Sequence, residues 1–341
     1  MSARALSLGA HIRSPRRPTM VVAAAAALLM IIAVVSLSTG QMPLPLSQVL
    51  RAAVGVPSEG ADFIVGQLRA PRVYTAALVG ALLAMSGALL QSVARNPLAS
   101  PDLLGITSGA AAAAVTGIAV LGTSSSLALA PFAVAGALLT AGLIMALGWR
   151  GGIQPLRMVI AGIGVGFVAT SITTFLLTRL PERAAGQAYL WTVGTTNVRV
   201  WNHVVIGVVA LAVISLSAAW LQRRMRVIEM GDDLAGALGV RVPVVRFAAV
   251  GIAAISAGIA TALAGPIGFV ALVAPAIARR LVGSGAIALG ASAVVGALLT
   301  VVSDLIAREM LAPMQLPIGL VTAAIGAPYL LILLTRLRGS L

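Results

Sequence analysis

The chain has 341 residues, 60% of them hydrophobic and only 9% charged, against roughly 25% charged in an ordinary soluble domain; a soluble fold could not hide that much apolar surface. Its formal net charge of +14 comes from arginine with no lysine at all, and these arginines sit between apolar runs, where they read as topology signals and lipid-headgroup contacts rather than as a nucleic-acid surface. Cysteine is absent and only His11 and His203 are available, which excludes disulfides, cysteine nucleophiles and thiolate or histidine-rich metal sites.

Residues 1–19 form an arginine-rich segment, with Arg4, Arg13, Arg16 and Arg17, ahead of the first apolar run. The pairing resembles a signal peptide, but the run exceeds a normal apolar core of such a peptide, so it reads as a retained first span. Apolar runs broken by Pro, Gly and Arg then predict about ten spans, over 20–38, 73–93, 103–121, 127–147, 158–177, 204–221, 247–263, 268–281, 286–302 and 318–334. Each is close to the roughly 20 residues that cross a bilayer. The fold class expected is therefore an all-α integral membrane protein, one transmembrane domain over 20–337 with a cytoplasmic tail at 338–341.

The eighth span is short and carries Pro275. Orientation arbitrates: Arg-rich short loops stay cytoplasmic, and both ends of the chain are Arg-rich (Arg336 and Arg338 close it), so the number of spans is even and the short segment counts. This also places Arg95, Arg150, Arg157, the group Arg223, Arg224 and Arg226, and the pair Arg279 and Arg280 inside. Small residues four apart, as in Gly80 with Ala84 and Gly162 with Gly166, predict close helix packing.

Arg69 and Arg72, three apart at the entrance of the second span, share one side of a helix and fall on the outer face, as does Arg308 beyond the ninth span. They run against the usual charge bias. Each is either a solvated surface arginine or a docking point for an acidic partner. The second span closes at Arg95-Asn96-Pro97-Leu98-Ala99-Ser100-Pro101, where two prolines stop the helix. Such a break is either a simple hairpin turn or irregular backbone packed in protein or facing a cavity. Asn96 and Leu98 are candidate cytoplasmic gate residues. Gly162, Gly166, Thr170 and Thr174 form one slowly turning stripe on the fifth span, a candidate pathway lining.

Between the sixth and seventh spans, about 231–240, Asp232 or Asp233 can cap a short helix, Leu234, Ala237 and Leu238 fall on one face beside Ala235, and Gly239 can end it. The apolar stripe is narrow, so a protein groove suits it better than a membrane surface. The acidic residues fall at span ends or in loops, which disfavours an ion-coupled secondary transporter, a class that carries ionisable relays inside its spans.

With these residues the chain resembles the FecCD family, permeases of type II ABC importers for iron-siderophores, haem and vitamin B12. The resemblance rests on Arg69 to Arg72, Gly80 to Gln91 with Asn96-Pro97-Leu98-Ala99, Leu104-Gly105-Ile106, Leu238-Gly239-Val240, Gly265-Pro266-Ile267-Gly268-Phe269 and Leu316-Pro317-Ile318-Gly319, running in order along the chain. One departure is Ala276, where the family usually has His after the proline of the eighth span. The resemblance implies a type II importer permease fold and a transport subunit that is no enzyme and binds no cofactor. ATP and Mg would sit on two partner ATPases, which fits a chain without Lys and so without a Walker A lysine. It further implies a second permease, identical or paralogous, an extracytoplasmic solute-binding protein docking at Arg69, Arg72 and Arg308, and coupling to the ATPase through Asp232, Asp233, Leu234, Ala235, Leu238 and Gly239. Iron-siderophore complexes are the expected cargo, with vitamin B12 or haem as alternatives.

Overall fold

The computed structural model describes residues 16–53, 56, 61–149, 154–283 and 287–338. Most of the arginine-rich amino-terminal segment, Arg150, Ala286 and the last three residues lie outside the described residues. The helices are α1 (Arg16–Ser38), α2 (Leu46–Ala53), α3 (Ala61–Val93), α4 (Ile106–Leu121), α5 (Ser126–Gly148), α6 (Pro155–Arg179), α7 (Glu182–Val193), α8 (Trp201–Glu229), α9 (Asp232–Ala237), α10 (Val242–Ala264), α11 (Val270–Val282), α12 (Leu289–Glu309) and α13 (Ile318–Arg338). Each of the ten predicted spans has its helix. Among the described residues seven helices are long and apolar enough to cross a membrane, with α4, α11 and α13 as shorter apolar ones.

Several boundaries differ from the sequence expectation, for physical reasons. The second span does not begin at Val73: helix α3 starts at Ala61 and carries a π-helical stretch at Ile64–Arg69 before Pro71. The wider turn changes the carbonyl pairing, and the Gly66 carbonyl accepts the Trp201 indole N–H at 2.9 Å. Helix α12 does not end near Val302 but runs to Glu309, so Asp304 and Arg308 lie on the helix and are buried. The short helices α2 and α7 occupy connections that periodicity leaves unassigned.

Helix α3 is the axis of the bundle, packed against α8, α10, α11 and α12. Glycine makes the approach to α12 possible: a Cβ on Gly80 would overlap the Gly296 carbonyl, and one on Gly296 would overlap that of Gly80. Thr300 Oγ1 donates across this seam to the Ala76 carbonyl at 2.8 Å. Close backbones raise dispersion contact, the main attraction where lipid removes any hydrophobic drive between helices. Pro275 inside α11 cannot donate to the Ala271 carbonyl, and α3 approaches that carbonyl at Gly87, where a side chain would collide with it.

Two connections enter the bundle instead of turning at its surface. Residues 94–105 run inward until Leu104 and Gly105 pack on Gly162 and Gly166 of α6, about 10 and 16 Å beyond Pro155 at 1.5 Å per residue. Residues 265–269 enter from the other end, and the Phe269 side chain packs on Gly326, about 12 Å into α13 by the same rise. Non-helical backbone at this depth persists only where protein or water satisfies it. In the first connection Ala99 and Ser100 are buried, and Leu104 N–H donates to the Ser100 carbonyl at 2.9 Å. In the second, Phe269 N–H donates to Asp102 Oδ2 at 3.0 Å.

Candidate functional site

At the end of the bundle where α3 stops, a cavity of about 380 Å³ is lined by Gln91, Ser92, Arg95, Asn96, Pro97, Glu229, Arg279 and Ile287. Its walls are hydrogen-bonded to one another. Arg279 donates to Gln91 Oε1 at 2.6 Å, the Gln91 amide donates to the Leu272 carbonyl at 3.2 Å, and Ser92 Oγ donates to Glu229 at 2.9 Å. Asn96 Oδ1 accepts the Leu98 N–H at 2.9 Å, which fixes a tight turn at the start of the break. Both Asn96 and Leu98 are half-buried.

Helix α9 lies beside this cavity. Gly231 occupies its N-cap position, and neither aspartate caps it; the expectation that Asp232 or Asp233 would do so is corrected. Asp232 is engaged elsewhere: its Oδ1 accepts from Arg95 at 2.6 Å and from Arg246 at 3.0 Å. Gly239 sits at φ +78° just past the helix, and Val240 N–H returns to the Ala235 carbonyl at 2.9 Å, so the helix ends on a glycine as anticipated. Ala235 is buried against the bundle, whereas Leu234 and Leu238 are 45% and 61% exposed. The apolar face of α9 is therefore uncovered in the single chain. Asp233 is exposed as well.

At the opposite end the three arginines singled out in the sequence come together, but not as surface charges. Arg69, Arg72 and Arg308 are each 8% exposed, so of the two readings the sequence left open, that of a freely solvated surface arginine does not hold. Arg72 Nε donates to both carboxylate oxygens of Asp304 at 3.0 and 3.1 Å, and its Nη1 reaches Asn197 and, at 2.7 Å, Gln315. Thr196 donates to the same Asp304. Among the described residues Arg69 donates to two carbonyls, Leu37 at 2.7 Å and Met42 at 2.5 Å. Arg308 donates to the Ser36 carbonyl at 2.6 Å and lies 3.2 Å from Glu309. A cavity of about 250 Å³ opens on Arg69, Arg72, Arg308 and Gln315. Beside it Arg199, in the connection between α7 and α8, is buried with a carbonyl and Ser126 as acceptors. Burial and the neighbouring Arg72 lower its pKa to about 10, which leaves it charged at neutral pH.

On α6, Gly166 is partly covered by Gly105. Thr170 and Thr174 are exposed, each hydroxyl donating back to the carbonyl four residues earlier at 2.9 and 3.0 Å. Sequence reasoning missed Asp304, Asn197 and Gln315 as partners of Arg72, and Arg95, Arg246 and Asp102 as anchors. Arg95 had a visible signal, its place directly before Asn96-Pro97; pairs separated by a hundred residues or more leave none.

The geometry is that of a helical bundle entered from both ends, with the apolar face of the short helix α9 left uncovered. A family model for the FecCD transport family matches residues 28–336. The chain belongs to the FecCD transport family. Among its relatives, the ferric enterobactin transport system permease protein FepG of Escherichia coli K12 is 40% identical over 300 residues, covering 88% of this chain and 91% of the relative. The achromobactin transport system permease protein CbrC of Dickeya dadantii is 41% identical over 309 residues, covering 90% and 88%. The fold matches a solved metal-chelate type ABC transporter in an inward-facing conformation with TM-score 0.81 at 27% identity, covering 94% of this chain and 99% of the other. This FecCD chain is thus a membrane-spanning transport subunit with the type II ABC importer permease fold, a family that works with an ATPase and a binding protein.

Proposed function

We propose that this FecCD permease carries an iron-siderophore chelate inward by alternating access, driven by ATP hydrolysis on partner subunits. The observation that carries the reading is the arrangement at the Arg95 end: a gate-like cavity beside a short helix whose apolar face lacks a cover. The named cargoes of the relatives, ferric enterobactin and achromobactin, support the choice of cargo. Two ATPases holding ATP and Mg would seat α9 through Leu234 and Leu238, with Ala235, Asp232, Asp233 and Gly239 setting its pose. A second permease, identical or paralogous, would complete a pathway lined by Gly166, Thr170 and Thr174 and closed at Asn96 and Leu98.

In this reading the chain binds no cofactor of its own, both termini are cytoplasmic, and a solute-binding protein docks outside at the cavity of Arg69 and Arg308. Arg72 contributes there through its network, because Asp304 already neutralises it. Among the described residues Asp304 is the acid buried within a span, the kind an ion-coupled mechanism would recruit, and its pairing with Arg72 argues against a relay. The test is uptake of a ferric siderophore into proteoliposomes holding the whole complex. Uptake should stop when ATP hydrolysis is blocked and persist when the proton gradient is collapsed; the opposite pattern refutes the reading. For orientation, cysteine introduced at Arg183 should label from outside and cysteine at Arg226 should not.

A further inference from the structure

The connection 94–105 is tied down near both of its ends by a charged side chain, and each tie reaches a different element. At its start, Arg95 donates through Nη2 to Asp232 Oδ1 of α9 and to the Ile228 carbonyl of α8, both at 2.6 Å. Near its far end, Asp102 Oδ2 accepts the N–H of Phe269, the residue that opens α11, at 3.0 Å. Between the two anchors the backbone is braced. Ala99 N–H donates to the Asn96 carbonyl at 3.1 Å, Ile106 N–H to the Pro101 carbonyl at 2.8 Å, and Pro97 and Pro101 remove two flexible torsions.

The anchor points also carry backbone strain. Among the described residues three non-glycine residues adopt positive φ, and two of them are Arg95 at +47° and Phe269 at +68°. Side chains disfavour that region, and such strain persists only where surrounding contacts over-determine it, which is commonest at mechanically or chemically active positions. Here each strained residue makes one of the two ties.

We propose that residues 94–105 act as a strut between α9 and α11, with Arg95 and Asp102 as the positioning residues that hand a displacement of α9 to the entrance of α11. The inference rests on the permease reading above and adds the path by which the ATPase-facing helix reaches the second inward connection. A packed, hydrogen-bonded segment transmits a push; a loop free at one end would absorb it. Asp232 is shared with Arg246, at 3.0 Å, which sets the base of the strut against the start of α10.

The test uses the assembled complex in proteoliposomes, with ferric siderophore uptake and ATP hydrolysis measured together. Arg95→Gln and Asp102→Ala should each lower substrate carried per ATP by about tenfold while ATPase subunits still co-purify. The double variant should be no worse than either single, because a strut cut at one end transmits nothing. Asp102→Asn keeps an acceptor for the Phe269 N–H and Arg95→Lys keeps a donor, so both should recover a substantial part of the ratio. An unchanged ratio in both single variants overturns the proposal, as does a double variant whose loss is the product of the two, the mark of independent structural defects. Loss of ATPase co-purification in all four single variants also overturns it, since the residues would then serve assembly. Absence of ATP-dependent uptake in the unsubstituted complex counts against the permease reading instead.

Discussion

The Arg72–Asp304 pair separates a structural role from a docking role at the arginine cluster. The two side chains are 10% and 1% exposed, so removing one partner strands the other charge away from water, a loss of about 3–5 kcal/mol for a buried pair. The structure predicts an asymmetry. After Asp304→Asn, Arg72 keeps the amide oxygens of Asn197 and Gln315, which places the cost near 3 kcal/mol on the same scale. After Arg72→Met, Asp304 keeps the Thr196 hydroxyl as its hydrogen-bond donor among the described residues, with Arg308 a more distant counter-charge, which places it toward the upper end, near 5 kcal/mol. At about 2 °C per kcal/mol for a chain of this size the melting temperature of the purified permease should fall by roughly 6 and 10 °C. Replacing both, Arg72→Met with Asp304→Leu, removes the stranded charge and should leave a cost of about 1–2 kcal/mol for the unpaired amides. Thermal unfolding in detergent, without any binding protein, reads all three. A stable Arg72→Met variant, or a double variant as damaged as Arg72→Met alone, refutes the reasoning and returns Arg72 to the status of a free docking charge.

Leu238→Asp charges a side chain that is exposed in the single chain, so the permease itself should stay as stable as before. The ATPase should dissociate, since burying an unpaired charge in its groove costs several kcal/mol, about the scale of a lost interface; co-purification is the measurement. Gly239→Val has open space around it, so its cost is the strain of φ +78° alone, roughly 1 kcal/mol or more. Uptake per ATP should drop with the complex intact, and Gly239→Asn, which tolerates this backbone region, should drop less. Arg69→Glu with Arg308→Glu should weaken binding-protein docking far more at low salt than at high salt. Docking to the unsubstituted chain should be flat between pH 6 and 8, because a pKa lowered only to about 10 keeps even buried Arg199 protonated across that window; surface plasmon resonance over salt and pH checks both.

Much of the bundle was legible because lipid imposes a simple rule, one apolar run per crossing, and the ten runs recur as ten helices. The Gly80 seam was legible too, since small residues at four-residue spacing have few other uses in a span. What stayed hidden has a common cause. The ninth apolar run, 286–302, stops short of Asp304, yet α12 continues to Glu309, with Arg72 supplying the counter-charge for the buried carboxylate. That partner is far away in sequence, and periodicity within one segment carries no trace of it. The π-helical stretch before Pro71 is hidden likewise, as Trp201 of α8 satisfies the Gly66 carbonyl. At α9 the composition spoke for capping aspartates, but two arginines outside the helix compete for Asp232 and win, because a charge-assisted bond exceeds an ordinary cap.

Burial also bears on the proposal that a second permease completes the pathway. In α3, 83% of the most apolar stretch is buried inside the protein, against 17% in α6, so α3 is the fixed axis and α6 presents most of its surface outward. The outward surface is mixed. Phe167 and Phe175 suit lipid or a neighbouring helix, while Thr170 and Thr174 add hydroxyls on the line that begins at Gly162 and Gly166. Because each hydroxyl donates to its own helix, neither leaves a buried donor to satisfy. Such a wall can meet water, cargo or protein in turn at little cost in hydrogen bonding, and it offers no strong ligand to a passing chelate. A pathway that must release its cargo requires that weakness, and a second permease facing α6 would close it.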